Sequence, residues 1–378
     1  MKGVVMELEK KIKRYAKEIG IGCIGFTSAD AFTDLQKVLV DRRDKGYLTG
    51  LEEQDIEKRV NPKMILHNAK TIIAVVIPYY VQKESSGDSS EDYYGEMAIG
   101  TFGRDYHMVL KEKLEQLMLF IKTEYGDFAY KIFVDTGPLS DRDVAHRAGL
   151  GWFGKNNLLI TEDYGSWVYI GYVVTDLELQ HDVPLEKECL NCNLCVEACP
   201  SGALEKNYLM NGKRCLSYIT QTKNPIEEVS LKRLENKIYG CDVCQMVCPH
   251  NHRVSETSNK DFFPIEGCHK LKLTDLVHMT NKQFRETVGK TAGGWRGKNV
   301  IRRNAVIAMG NSKDTKMLPH LNEVLQDESP MIRKYAGWAI LQICRDEGTK
   351  ILREHVKKEK SSEVATYFLK LLDGDDHS

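Results

Sequence analysis

Eight of the chain's eleven cysteines fall between Cys189 and Cys248, and their spacing governs what the middle of the chain can fold around. The run Cys189-x2-Cys192-x2-Cys195-x3-Cys199-Pro200 has the bacterial ferredoxin form. In that form three thiolates wrap three corners of one [4Fe–4S] cubane while the fourth reaches a neighbouring cluster. Cys241-x2-Cys244-x3-Cys248-Pro249 repeats the Cys-x3-Cys-Pro ending, with its first ligand, Cys215, set well upstream of the rest. Crossing the two sets gives Cys189, Cys192, Cys195 and Cys248 on one cluster, and Cys241, Cys244, Cys215 and Cys199 on the other. Zinc is the competing reading, but it prefers two Cys-x2-Cys knuckles per ion and has no need of the Cys-Pro endings. In a reducing compartment such a concentration of cysteines means metal rather than disulfides. Two cubanes with interleaved ligands lie close enough to pass electrons one at a time.

At 378 residues the chain is long for one core, and two or three domains are expected. A formal net charge of −1 excludes a globally basic nucleic-acid binder and leaves only local basic surface. No apolar run reaches the ~18–20 residues of a membrane-spanning helix. Met1 to Gly20 alternates charged and apolar residues without the apolar stretch of a signal peptide. A cytoplasmic protein without membrane attachment is expected.

The span 1–180 reads as mixed α/β, with one helix through Leu8, Ile12, Tyr15 and Ile19 and another over Tyr106–Tyr125. Strands are expected at Ile21–Phe26, Thr71–Tyr80, Tyr130–Val134 and Trp167–Thr175, and a solvated loop at Gln82–Asp92. A ferredoxin-like module over 181–260 and a connector over 261–294 follow, then all-α repeats over 295–378. Ile301–Met309 aligns position for position with Ile332–Ile340, and each copy is followed by a second helix. Stacked helix pairs of this kind resemble HEAT repeats; a plain helical bundle is the alternative.

Gly149-Leu-Gly151-Trp-Phe-Gly154 fits the dinucleotide fingerprint, but a helical stretch precedes it and a strand over 156–161 follows, the reverse of the required context. The glycines are expected to let backbone approach some other flat ligand. Asp135 stands where a strand ends and a turn begins, a place for a general acid or for a helix cap, with Ser140 and Asp141 the other capping candidates. Basic residues crowd two places: Arg296, Lys298, Arg302, Arg303, Lys313 and Lys316, and, between the cysteine motifs, Lys213, Arg214, Lys223, Lys232, Arg233 and Lys237. Either group could hold phosphates or form a solvated face.

Taken together, these segments resemble the epoxyqueuosine reductase family. The likeness runs through Asp55–Arg59, Gly103–His107, Asp135–Arg142, Arg147–Trp152, Gly154–Asn156, both cysteine motifs and Trp295–Lys298. It implies two [4Fe–4S] clusters and cobalamin, reduction of epoxyqueuosine in the tRNA anticodon stem-loop, and an external electron donor. It further implies Arg59, Asp135, Lys155, Asn156 and Ser217 around the corrin, Asp135 as proton donor, and Lys223, Lys232, Arg296 and Lys298 toward tRNA. A monomer is expected. The chain departs from the family at His146, where an acid is common, and at Met97-Ala98, where some relatives place a cysteine, so cysteine ligation of cobalt is not implied. A corrinoid reductive dehalogenase and a simple electron carrier are the alternatives. Dehalogenases of that kind usually carry a twin-Arg export signal, which this sequence does not show. A carrier would need only the cysteine-bearing middle of the chain.

Overall fold

The computed structural model describes residues 2–82, 92–205, 208–266, 268 and 271–373, so most of the expected Gln82–Asp92 loop lies outside the described residues. The chain divides into two compact units. The first comprises Met1–Gln82, Gly103–Cys215 and Asp242–Phe263; the second comprises Lys83–Phe102, Leu216–Cys241 and Pro264–Ser378. The segment expected as one ferredoxin-like domain over 181–260 is therefore shared between them.

The first unit is built on a four-stranded antiparallel sheet in the order Cys23–Ser28, Thr71–Pro78, Val168–Thr175, Tyr130–Val134. The unbroken apolar run of Thr71–Pro78 makes sense there, because this inner strand is buried along almost its whole length. Strand side chains alternate between faces. Ile72, Ala74 and Val76 join Val144, Ala145 and Ala148, on and just after the Asp141–Arg147 helix, in one core. The opposite face packs under the helix Tyr106–Tyr125, whose Leu110 and Leu114 reach Gly171. Arg147 ties this layer to a strand end: its guanidinium lies 3.4 Å over the Phe32 ring and donates to the carbonyls of Ser28 and Asp30.

In the second unit the helical repeats occur where the alignment places them. Helices Lys298–Ser312 and Leu318–Val324 form one pair, Pro330–Ile343 and Arg345–Val356 the next, and Ser362–Asp373 closes the stack. The repetition extends to a buried ion pair. Arg302 and Arg333 occupy the same repeat position, and each reaches an acid past its pair's second helix, Asp327 and Glu359 respectively. Hydrogen bonding to Arg333 holds the Glu359 carboxyl down to about 2. Asp327 is likewise lowered: burial opposes its ionisation, but the Arg302 hydrogen bond, the Ser329 N–H and the Arg302 and Lys298 charges together outweigh it.

These pairings change the meaning of several basic residues. Arg303 is fully buried and donates to the backbone carbonyls of Thr222, Ile219 and Thr220. Lys237 is also buried, between Glu96 and Glu235. Arg302, Arg303 and Lys237 thus serve the fold and offer nothing to a phosphate. Replacing Arg303 with Met removes a donor from three buried carbonyls and should cost ~3 kcal/mol, read as a lower denaturant midpoint for the transition of the repeats.

Candidate functional site

Cys189, Cys192, Cys195 and Cys248 converge within the first unit. Burial pushes the Cys195 thiol up to about 11, and Cys189, Cys248 and Cys192 add to the effect, as four neighbouring sulfurs must. Cys248 is also raised, by burial first and then by Cys189 and Cys192. The short helices Leu194–Glu197 and Val243–Met246 carry the two motifs and pack together, which delivers Cys248 to the first three thiols. Leu190, one residue after the first cysteine, takes a left-handed φ of 45° that turns the loop sharply. Of the other four cysteines, Cys199, Cys215 and Cys244 belong to the first unit and Cys241 to the second. The Cys199 thiol is lowered: burial opposes ionisation, but backbone N–H groups of Leu204, Ser201 and Ala203 and the Ser201 hydroxyl outweigh it. Donors aimed at sulfur suit a thiolate bound to iron.

Lys155 grips the first cysteine loop. Its Nζ donates to the Leu190 carbonyl at 2.7 Å and to Asn193 Oδ1 at 3.0 Å. Asn156, buried beside it, accepts from the Leu158 N–H at 3.2 Å while its Nδ2 has no hydrogen-bond partner. The glycines before them do not cradle a ligand, contrary to the sequence reading. A Cβ on Gly149 would meet the Val183 carbonyl at 2.6 Å, on Gly151 the Ile160 carbonyl at 2.4 Å, and on Gly154 the Asn156 side chain at 2.4 Å. Their close approaches are to the chain itself, where Trp152–Phe153 pairs with Leu159–Ile160 in a small hairpin. With helix before and hairpin after, the dinucleotide reading falls.

Asp135 ends the strand Tyr130–Val134 with a φ of 57°, a left-handed conformation uncommon outside glycine. It does not cap the helix Asp141–Arg147, whose N-cap residue Ser140 makes no side-chain cap bond either. The Asp135 carboxylate, 62% exposed, instead faces His107 Nε2 at 3.4 Å. Asp105 Oδ1 meets the other ring nitrogen, Nδ1, at 2.7 Å, so the three residues form a chain, Asp105, His107, Asp135. Tyr106, stacked at 4.1 Å on His107 and at 4.2 Å on Tyr169, backs the imidazole. Burial disfavours the imidazolium, but hydrogen bonds to Asp105 and Asp135 overcome this and raise His107 to about 9. Asp141 receives the Asp135 N–H at 3.2 Å, and burial together with the Asp135 charge pushes its carboxyl up to about 8.

Arg59, expected at a cofactor, is half-buried and shares its surroundings with two arginines that sequence reasoning missed, Arg42 and Arg142. Burial lowers Arg42, and Arg142 and Arg59 lower it further; its Nε is buried with no partner. In the second unit, Ser217 belongs to a network centred on Gln221. Gln221 Nε2 donates to the Ser217 carbonyl at 2.9 Å and hydroxyl at 3.3 Å, and its Oε1 accepts from Tyr239 and Trp295, both at 3.0 Å. Arg296 donates to the Gln221 carbonyl at 2.7 Å and lies 4.5 Å over the ring of Trp295, which is 54% exposed. Lys223 and Lys232 are exposed and Lys298 is half-buried. Gln221 and His107 carried no spacing signal of their own; only the Gly103–His107 segment pointed near the second.

A cysteine-rich module in which Cys189, Cys192, Cys195 and Cys248 converge, an α/β unit ending in a carboxylate site and a stack of helical repeats define a two-cluster iron–sulfur oxidoreductase. Family models match in the same three places: a 4Fe-4S double cluster binding domain over 188–251, epoxyqueuosine reductase QueG, DUF1730, over 59–136, and HEAT repeats over 297–370. The epoxyqueuosine reductase of Bacillus subtilis (strain 168) is 40% identical over 362 residues, 95% of this chain and 94% of the relative. A crystal structure of epoxyqueuosine reductase with an epoxyqueuosine-modified tRNA-Tyr stem loop superposes with a TM-score of 0.94 at 39% identity, covering 98% of this chain and 99% of that one. A Bacillus subtilis structure, with its catalytic aspartate loop swung out of the active site, gives 0.93 at 38% identity over the same shares. The chain belongs to the epoxyqueuosine reductase family, oxidoreductases of tRNA modification. The dehalogenase and electron-carrier alternatives give way to these near full-length relatives.

Two measurements bear on the site. Cys195→Ser should reduce bound iron from about eight to about four atoms per anaerobically prepared chain, read by iron analysis. In a histidine NMR titration His107 should titrate near 9, and Asp105→Asn should return it toward the ordinary 6.5. Because the folded value lies above the unfolded one, this group's stabilisation is complete below pH 6.5 and is lost as pH rises through about 9.

Proposed function

We propose that this chain reduces epoxyqueuosine to queuosine in the anticodon loop of tRNA, with Asp135 as the proton donor. The observation that carries the assignment of the acid is the Asp105, His107, Asp135 chain, an exposed carboxylate hydrogen-bonded to a protonated imidazole. Converting the epoxide to an alkene releases its oxygen as water and consumes two electrons and two protons. Two [4Fe–4S] clusters and a cobalamin, when bound, would supply the electrons, since no side chain can. Cys189, Cys192, Cys195 and Cys248 would hold one cluster, and Cys199, Cys215, Cys241 and Cys244 the other. Arg59, Asp135, Lys155, Asn156 and Ser217 are the residues this reading assigns to the corrin. The unpartnered amide nitrogen of Asn156 suits it, because a buried donor needs an acceptor and the corrin rim is set with carboxamides.

This chain's own residues manage the protons. Asp135 delivers one to the opening epoxide oxygen, which leaves poorly as an alkoxide. His107, protonated at neutral pH, recharges Asp135 across their hydrogen bond, and Asp105 keeps the imidazole in register. The Bacillus subtilis relative also has a catalytic aspartate loop, in support of the same assignment. The left-handed backbone at Asp135 fits a loop whose conformation its neighbours impose.

Single-stranded RNA is read by splaying its bases onto aromatic and guanidinium planes. The exposed Trp295 with Arg296 over its ring offers such a surface, and Lys223, Lys232 and Lys298 supply charge for the backbone. A similar epoxyqueuosine reductase has been crystallised with an epoxyqueuosine-modified tRNA-Tyr stem loop, which supports this reading. The enzyme works as a cytoplasmic monomer fed by an external electron donor. Among the described residues no helix is long and apolar enough to cross a membrane.

The test is single-turnover reduction of an epoxyqueuosine-bearing stem-loop by cobalamin-loaded protein, with nucleoside mass analysis. Wild-type protein should form queuosine, and Asp135→Asn should slow it by ~10²–10⁴-fold while the cobalamin absorption bands stay in place. Wild-type turnover by that variant would overturn the acid assignment. Failure of the loaded, fully reduced wild type would overturn the function.

A further inference from the structure

Three metal-ligating side chains meet in the second unit, far along the chain from the cysteines and unused by the reaction. His320 and Glu323 lie three residues apart on the helix Leu318–Val324, so both project from one face, one turn apart. His278 stands at the C-terminal end of the helix Leu273–Val277. One donor atom from each of His278, His320 and Glu323 lies within 4.8 Å of the other two. His278 Nε2 is 3.5 Å from Glu323 Oε2, and the two imidazole centroids are 5.8 Å apart. Ligand atoms sharing one tetrahedral ion with bonds near 2.0–2.1 Å are separated by about 3.4 Å, so only small side-chain rotations bring the three onto a common centre.

The surrounding fold holds the two ligand-bearing elements together without a metal. Arg302, buried in the first repeat helix, donates to the Val277 carbonyl at 2.7 Å, one residue before His278. The same guanidinium pairs with Asp327, four residues after Glu323. One side chain thereby holds both segments side by side, so the ligand-bearing backbone is in place in advance of any ion. The apolar seats agree: Leu273, Leu276 and Val277 anchor one element, Leu318, Leu321 and Val324 the other, all buried.

We propose that His278, His320 and Glu323 form a binding site for a divalent transition-metal ion of the zinc type, which fastens the segment before the repeats to the first repeat. Two imidazoles and one carboxylate suit zinc, nickel or cobalt(II); magnesium and calcium require more oxygen ligands. Three protein ligands leave a coordination position for water. With side-chain exposures of 44% for His278 and 69% for Glu323, the ion enters from solvent and exchanges with it. No thiolate takes part, so the site is chemically separate from the iron–sulfur cysteines.

The experiment is calorimetric titration of zinc chloride into full-length protein carrying its full complement of iron, so that the cluster cysteines are occupied. Zinc and iron are counted after gel filtration. Wild type should take up one zinc per chain with no loss of iron. His320→Ala and the near-isosteric Glu323→Gln should each weaken binding by about tenfold or more, since even loss of a supporting group beyond the ligands costs that much. Both variants should keep wild-type iron content, circular dichroism and turnover. Zinc should raise the unfolding midpoint of the repeats in wild type and not in His320→Ala. Uptake unchanged in both variants, absence of uptake by wild type, or uptake that displaces iron would each overturn the proposal.

Discussion

Everything in the first unit is arranged around one demand: the sulfur of Cys248 must reach those of Cys189, Cys192 and Cys195. Burial raises the Cys195 and Cys248 thiols and the neighbouring sulfurs add to it, so four thiolates here need a cation among them. Metal binding to such a set is folding free energy for the segments that carry it. The consequence is a chain that leaves the first unit after Cys215 and returns at Asp242. The returning segment brings Cys248 to the three thiols of the first motif. The α/β sheet supplies a wall; the cysteines decide which loops stand against it.

The second organising device is a recurrent buried arginine. Arg302 and Arg333 are spaced by the repeat itself, and each secures its helix pair by an acid beyond the second helix. Paired charges inside a helical stack contribute little net stability, because desolvation offsets most of their attraction. They do fix register, since an arginine shifted by one position would leave a carboxylate buried alone. A stack set in register in this way presents Trp295 and Arg296 as a defined surface at its entrance.

The regular elements were legible because their patterns were uninterrupted. Thr71–Pro78 is apolar at every inner position, and the repeat alignment needed only the match of Ile301–Met309 to Ile332–Ile340. The meeting of Cys248 with Cys189, Cys192 and Cys195 was legible from the repeated Cys-x3-Cys-Pro ending. Sequence could not separate a structural arginine from a phosphate-binding one, because Arg296 before the repeat helix and Arg303 within it lie in one basic stretch and differ in what packs around them. Nor could it show that Gly151 and Gly154 accommodate their own hairpin, since the crowding comes from Ile160 and Asn156 across the turn. His107 and Gln221 were hidden for a related reason. Their partners, Asp135 and Trp295, lie 28 and 74 positions away, beyond the reach of any local pattern.

Lys155 ties the chemistry of iron to a part of the protein that contains none. Its ammonium is anchored by Leu190 and Asn193, both inside the loop that wraps the first cubane, while its neighbour Asn156 carries the spare amide. A loop stripped of its cluster loses the reason for its shape, and the lysine then loses its footing. The shape of the cysteine loop and the placement of the Asn156 amide are consequently coupled through this one lysine.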